Sequence, residues 1–316
     1  MRLLKKNYGI GLSLMVFLVF FFSACSDCGD GKSSASGDPS GGDPLSVAVV
    51  NYPLQYFAER IGGDAVTVVF PAPGDEDPAY WVPDAEAISA YQEADLILAN
   101  GATYAKWLDK VSLPLSKLVD TSKDFQDRYI ALDHAVTHSH GAEGEQEHRG
   151  WAFTTWLDPR LAIAHARSVM EALVAARPAM EEGFRKAFGE LEADLTDLDE
   201  AIAAAVSGGD SVPLIMSHPV YQYLVRRYSL NARSVHWEPD AAPDPAMWQK
   251  LSELRASHPA TWMIWEGPPL DEVRSKLVEK GIESVLFDPC GNVPAEGDFL
   301  SVMKQNAENL ARVAAK

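Results

Sequence analysis

The sequence predicts an α/β protein with parallel sheets in two lobes, joined by one long helix. Two observations carry this. Short β-rich runs alternate with helical patterns on both sides of the middle of the chain, as strand–helix–strand units require. Between the halves, Phe184, Phe188, Leu191, Leu195, Leu198, Ile202 and Val206 recur at spacings of three and four, a single apolar stripe on one helix.

Residues 1–24 precede this fold as a secretory signal peptide. Arg2, Lys5 and Lys6 form its positive start, Ile10–Phe22 its apolar run, and Ser23-Ala24 the small residues before Cys25. The run is shorter than the roughly 20 residues of a membrane-spanning helix. Phe22-Ser23-Ala24-Cys25 resembles the bacterial lipobox, with Phe where Leu is usual. Cys25 is therefore expected to carry lipid and to anchor an exported chain facing the periplasm or the cell exterior. Residues 25–43 are Gly, Ser, Asp and Pro with almost no apolar side chain, so they are expected to be a flexible tether. Cys25 and Cys28 form a C-x-x-C, but in a tether this is no redox motif. Cys28 and Cys290 can pair in an oxidising compartment, but nothing in the sequence demands it and no such bond is expected.

From Pro44 onward the composition is globular, and the length suits two medium domains or one large one. The net charge is −18, and loss of the signal removes three cations and no acid. Such a surface repels phosphate backbones, which argues against nucleic-acid binding. In a lobe spanning 44–178, strands are expected at Leu45–Asn51, Val66–Phe70 and Leu96–Asn100. Helices are expected there at Leu54–Ile61, Asp84–Glu93 and Tyr104–Val111. The linker, 179–207, is a helix from about Ala179 to Val206, roughly 40 Å long, read as a rod between lobes and ended by Ser207-Gly208-Gly209. In a lobe spanning 208–316, strands are expected at Val212–Ser217, Ser234–Trp237, Thr261–Trp265 and Ser284–Phe287. Its helices are expected at Val220–Tyr228, Pro245–Ser257, Leu270–Lys280 and Phe299–Ala314.

The strands of the second half run into His218, Glu238, Glu266 and Asp288. Parallel sheets bind ligands at the carboxyl ends of their strands, so four groups able to ligate a cation are expected along one edge. A histidine with carboxylates suits zinc, manganese or iron. The segment 134–150 (HAVTHSHGAEGEQEHRG) holds four of the eight histidines and reads either as a metal-collecting loop or as a solvated acidic loop. His165, His236 (inside a strand) and His258 are read as structural. No nucleophile motif, no H-E-x-x-H and no Gly-rich phosphate loop appears, so nothing supports an enzyme. Gly74–Pro78 (GDEDP) carries paired acids that read first as turn formers.

Four stretches now stand in order: Val66–Lys110, Trp156–Pro159 (WLDP), Ser217–Leu230 (SHPVYQYLVRRYSL) and Val285–Gly291 (VLFDPCG). With the His-rich loop and the long helix, they make the chain from about Leu45 onward resemble the solute-binding lipoproteins of zinc and manganese ABC transporters. The resemblance implies two Rossmann-like lobes bridged by one helix, with the ligand in a cleft between them. It also implies a monomer that captures a divalent cation as cargo, delivers it to an ABC permease and carries no organic cofactor. Zinc is expected ahead of manganese, because His218 stands where manganese-type members tend to have Glu. Of the family's four usual ligand positions, His218 and Asp288 hold the third and fourth, while Ala79 and Thr154 occupy the first two. Glu266 and Glu238 match acidic positions that usually support rather than ligate.

Ala has no donor atom and Thr is a poor zinc ligand, so half the shell is left to other groups. His138, His140 or His148, Glu76 or Asp77, or a cargo bringing its own ligands can fill it. Alternatively the pocket changed cargo. Tyr80, Trp81, Trp151 and Trp156 flank the two positions, and such a pocket suits a metal chelate or a small organic solute; the plainer reading of these rings is packing between lobes. A third class, a lipid-anchored metal-dependent hydrolase, lacks any general base placed by motif.

Overall fold

The computed structural model describes residues 43–132, 150–208 and 212–314. The signal peptide, Cys25, the tether up to residue 42, and His138, His140 and His148 lie outside the described residues. Two four-stranded parallel sheets belong to one unit, Pro39–Lys316. The first has the order β2-β1-β3-β4, from β1 (Leu45–Val49), β2 (Val66–Val69), β3 (Leu96–Ala99) and β4 (Leu118–Asp120). Val47 aligns with both Val68 and Leu96, and β3 is buried throughout, which explains its unbroken apolar run. The helices here are α1 (Tyr52–Gly62), α2 (Ala85–Glu93) and α3 (Pro159–Ala176). Each starts on a side-chain cap: Asn51, Asp84 and Asp158 accept from the amides of Leu54, Ala87 and Arg160.

The second sheet has the order β6-β5-β7-β8, from β5 (Leu214–Met216), β6 (Ala232–Ser234), β7 (Trp262–Trp265) and β8 (Glu283–Leu286). Its helices are α5 (Gln222–Tyr228), α6 (Pro245–Ser257), α7 (Asp271–Glu279) and α8 (Phe299–Ala314). Alternation across the strands feeds two cores. Leu214, Met216, Trp262 and Ile264 join the large core shared with the first half. Ile215, Met263 and Trp265 face a separate cluster with Trp237, Trp248 and Leu251.

The helix α4 (Glu181–Ala205) lies between the halves in sequence and packs on both. Phe184, Phe188, Leu191, Leu195, Leu198 and Ile202 are all buried, against α1 and α3 on one side and α8 on the other. It is a spine packed along its length, because a stripe this apolar excludes water only when covered. Among the described residues no helix is long and apolar enough to cross a membrane.

Several elements differ from expectation. Tyr104–Val111 is no α-helix; only a 3₁₀ turn, Lys106–Lys110, forms there. Gly101, Ala102 and Thr103 take positive φ just before it and Ala105 stays outside the helical region, so the turn begins only at Lys106 and is too short for a stable helix. The strand expected at Ser234–Trp237 is β6, shifted toward the N-terminus, so His236 lies beyond it. The edge strand β4 and the extent of α3 had no counterpart in the sequence reading.

Candidate functional site

Hydrogen bonding in the second sheet continues past the strand ends. The amides of Val235 and Trp237 donate to the carbonyls of Met216 and Ser217, that of Ser217 to Ile264, and that of Phe287 to Trp265. The strand order therefore sets Glu238, His218, Glu266 and Asp288 in that sequence along one edge. His218 is buried, with Nδ1 2.8 Å from Glu266 Oε1 and Nε2 3.7 Å from Glu238 Oε1. Burial pushes the His218 pKa down, but the Glu266 bond and charge, with Glu238 and Asp77, outweigh it and hold the pKa above its ordinary value. Asp288 is raised, mainly by burial and further by Glu266, while the Cys290 amide bonded to its Oδ1 at 2.7 Å opposes the shift.

The first half brings the loop after β2 and the WLDP segment to face this row. A cavity of about 220 Å³ is lined by Asp77, Tyr104, Phe153, Thr154 and Trp156 from the first half and by Val220, Glu266, Asp288 and Asn292 from the second. Hydrogen bonds tie its walls together. Trp156 Nε1 donates to Pro289 O at 2.7 Å, Thr154 Oγ1 to Val220 O, and Asn292 Nδ2 to the carbonyls of Pro73 and Glu76 at 2.7 and 2.8 Å. Burial raises the Tyr80 hydroxyl well above its ordinary value, and the charges of Asp77, Glu266 and Glu238 add to it.

The other site candidates are dispersed. Ala79 is 4% exposed and packs in the large core, so the first usual ligand position is filled in rather than left open. Thr154 lies on the cavity wall. Glu76 is exposed, and its carbonyl is the group bonded to Asn292. Trp81 stacks edge-on against Trp107, and Trp151 stands beside Tyr129 in a separate cavity. His236 lies edge-on to His218 at 5.6 Å, its pKa lowered first by burial and then by the charges of His218 and Lys250. His258 is buried with Nε2 2.9 Å from Leu214 O. Cys290 is buried, with no cysteine bonded to it among the described residues.

Sequence reasoning did not single out Tyr104, Phe153 or Asn292. Asn292 had a signal, directly following VLFDPCG, whereas Tyr104 and Phe153 enter only through packing. Among the described residues no group of three His, Cys, Asp or Glu side chains stands in an arrangement that could hold a metal ion. The groups gathered here make a negatively charged, partly aromatic cleft suited to a cation, with one imidazole among its donors.

A family model described as "ZnuA: Zinc-uptake complex component A periplasmic" matches residues 47–313. The high-affinity zinc uptake system protein ZnuA of Bacillus subtilis is 25% identical, over 92% of this chain and 95% of its own length. The zinc-binding protein AdcA of Streptococcus pyogenes is 23% identical over 84% of this chain, which spans only 55% of that relative. Among solved structures, the Zn(II)-bound ZnuA-like domain of Streptococcus pneumoniae AdcA superposes with a TM-score of 0.73 at 21% identity, covering 86% of this chain and all of that one. The metal-dependent lipoprotein YcdH of Bacillus subtilis gives 0.71 at 22% identity, covering 85% and 98%.

Proposed function

The chain belongs to this zinc-uptake component A family of periplasmic metal-binding transport proteins, which are not enzymes, and from that premise we propose that it captures a divalent cation in its cleft and hands it to an ABC permease. One observation carries the reading: His218 bonded to Glu266, with Glu238 and Asp288 on either side and Asp77 facing them. An imidazole among carboxylates favours zinc over manganese. Residues 1–24 direct export, Cys25 anchors the chain through lipid, and residues 26–43 let the binding unit reach its permease as a monomer. Domain limits of 44–178, 179–207 and 208–316 belong to the same proposal.

Equilibrium dialysis against zinc, with metal analysis, tests it. Wild-type protein retains one equivalent, and a His218→Ala/Asp288→Ala double variant loses it; no stoichiometric zinc, or retention unchanged in the variant, refutes it. A second reading draws on the cavity itself, which exceeds a bare ion and presents Tyr104, Phe153 and Trp156 beside its carboxylates. Those walls suit a metal chelate or a small organic solute. A thermal shift with such a solute and none with zinc selects that reading.

A further inference from the structure

Trp151, expected beside the cargo pocket, lines instead a separate cavity of about 570 Å³ that the proposed function does not use. Ala99 and Asp120, the last residues of β3 and β4, also line it, so it lies at the carboxyl ends of two parallel strands, where such sheets bind ligands. Its volume is that of a site for a small organic molecule. Backbone bonds fix Trp151 in place: the Leu132 amide donates to Gly150 O at 3.0 Å and the Ala152 amide to Ile130 O at 2.9 Å. The side chain is still 41% exposed, and its ring meets that of Tyr129 at 5.6 Å and 53°, an aromatic corner in the cavity wall.

A carboxylate is built in beside that corner. Ser122 donates to Asp120 Oδ1 through its amide at 2.9 Å and its hydroxyl at 2.6 Å, and Gln126 Nε2 donates to Oδ2 at 3.1 Å. With its proton so used, Ser122 Oγ accepts from the Tyr129 hydroxyl, whose oxygen accepts from the Ala102 amide at 3.0 Å. Of the four acceptor positions of the Asp120 carboxylate, the described residues fill three, which leaves one on Oδ2. Gly101 permits this close approach, since a Cβ there would collide with Ser122 Oγ, Asp120 Oδ1 and Tyr129 Oη. Ala102 and Thr103 follow it at φ 48° and 59°, a conformation that a β-branched residue adopts only under constraint and that gathers at ligand sites. The lining holds two carboxylates, Asp109 and Asp120, and one ammonium, Lys106, which already stands over the Tyr80 ring at 5.9 Å.

We propose that this cavity is a second binding site, for a small organic cation: an amine or quaternary ammonium whose head lies between Asp120 and the Trp151–Tyr129 corner. Ring faces hold such a head by cation–π attraction and the carboxylate holds it by charge. A bare divalent cation needs several oxygens and finds one free here, and an anion meets the excess of carboxylate. The chain's net charge of −18 draws cations toward it. The site is independent of the cleft and of the cargo proposed for it.

Calorimetric titration of metal-free protein with benzyltrimethylammonium and with phenethylamine tests this. Each binds saturably, one per chain, and benzoate does not. Trp151→Leu weakens both, as does Asp120→Asn, which keeps the acceptor for Ser122, by roughly five- to thirtyfold. Trp151→Phe retains a ring face and stays within about threefold of wild type; this rescue, with an unchanged Tm for Trp151→Leu, separates lost recognition from lost folding. No saturable binding of either cation, benzoate bound as tightly, or binding unchanged by both Trp151→Leu and Asp120→Asn refutes the site.

Discussion

Acidification from pH 7 to pH 5 acts on this protein through His165, in the middle of α3. The ring is 1% exposed, with Thr121 Oγ1 2.7 Å from Nδ1 and Thr155 Oγ1 2.8 Å from Nε2. A neutral imidazole satisfies both contacts, one nitrogen donating and the other accepting. Burial pushes its pKa from 6.5 down to about 3. The unfolded chain therefore takes up a proton as the pH falls through 6.5, while the folded chain holds the ring neutral down to the lower value. Stability is lost across that window as the pH falls, by about 2 kcal/mol between pH 7 and pH 5. His218 acts with the opposite sign: its raised pKa gives stability that is present at low pH and is lost as the pH rises through the folded value. Urea unfolding at both pH values, in chelator, separates the two when wild type is compared with His165→Gln, which keeps a donor and an acceptor toward the threonines. The contribution of His218 cancels in the comparison. Wild type is expected to lose about 2 kcal/mol more than the variant, and an equal loss in both refutes the reasoning.

Three further outcomes follow from packing and charge. Leu195→Ala, at a fully buried position of the spine, removes about 3 kcal/mol and lowers Tm by roughly 6–12 °C, read by calorimetry. Arg227→Met strips Asp199 of its 3.0 Å bond from Nε and leaves Asp158, 3.6 Å away, without that cation. About 2–3 kcal/mol is lost at pH 7, seen in urea unfolding. Burial opposes the charge on Asp199, but bonds from Arg227 and Tyr228 outweigh it and depress its pKa. Its contribution is thus present above the ordinary carboxylate range and lost as the pH falls below it, and the variant flattens that acid limb. Thr154→His replaces a hydrogen bond to Val220 worth about 1 kcal/mol with an imidazole on the cavity wall. Zinc binding, followed by calorimetric titration, tightens by roughly tenfold or more, about 1.4 kcal/mol.

Much of the fold was legible along the chain. The limits of α6 and α8 coincide with the expected Pro245–Ser257 and Phe299–Ala314, because Asp244 and the following Pro245 start one helix and an amphipathic pattern runs unbroken through the other. Short elements were less legible. In β4 three residues pair at a sheet edge, too few to show a period, and Tyr104–Val111 has helical spacing that the left-handed turn before it overrides.

The site divides along the same line. Sequence alone determined that His218, Glu238, Glu266 and Asp288 follow strands, and hence share one edge of a parallel sheet. Their order across that edge comes from the pairing β6-β5-β7-β8, a long-range property that puts Glu266 beside His218. Sequence likewise determined that Ala79 offers no metal donor and Thr154 only a poor one. Tertiary packing alone decided that the two differ: both are 4% exposed, but Ala79 packs in the large core while Thr154 lines the cavity that Asp288 also lines. Residue identity sets which donors exist, but only the packing of both lobes on one spine determines which of them meet.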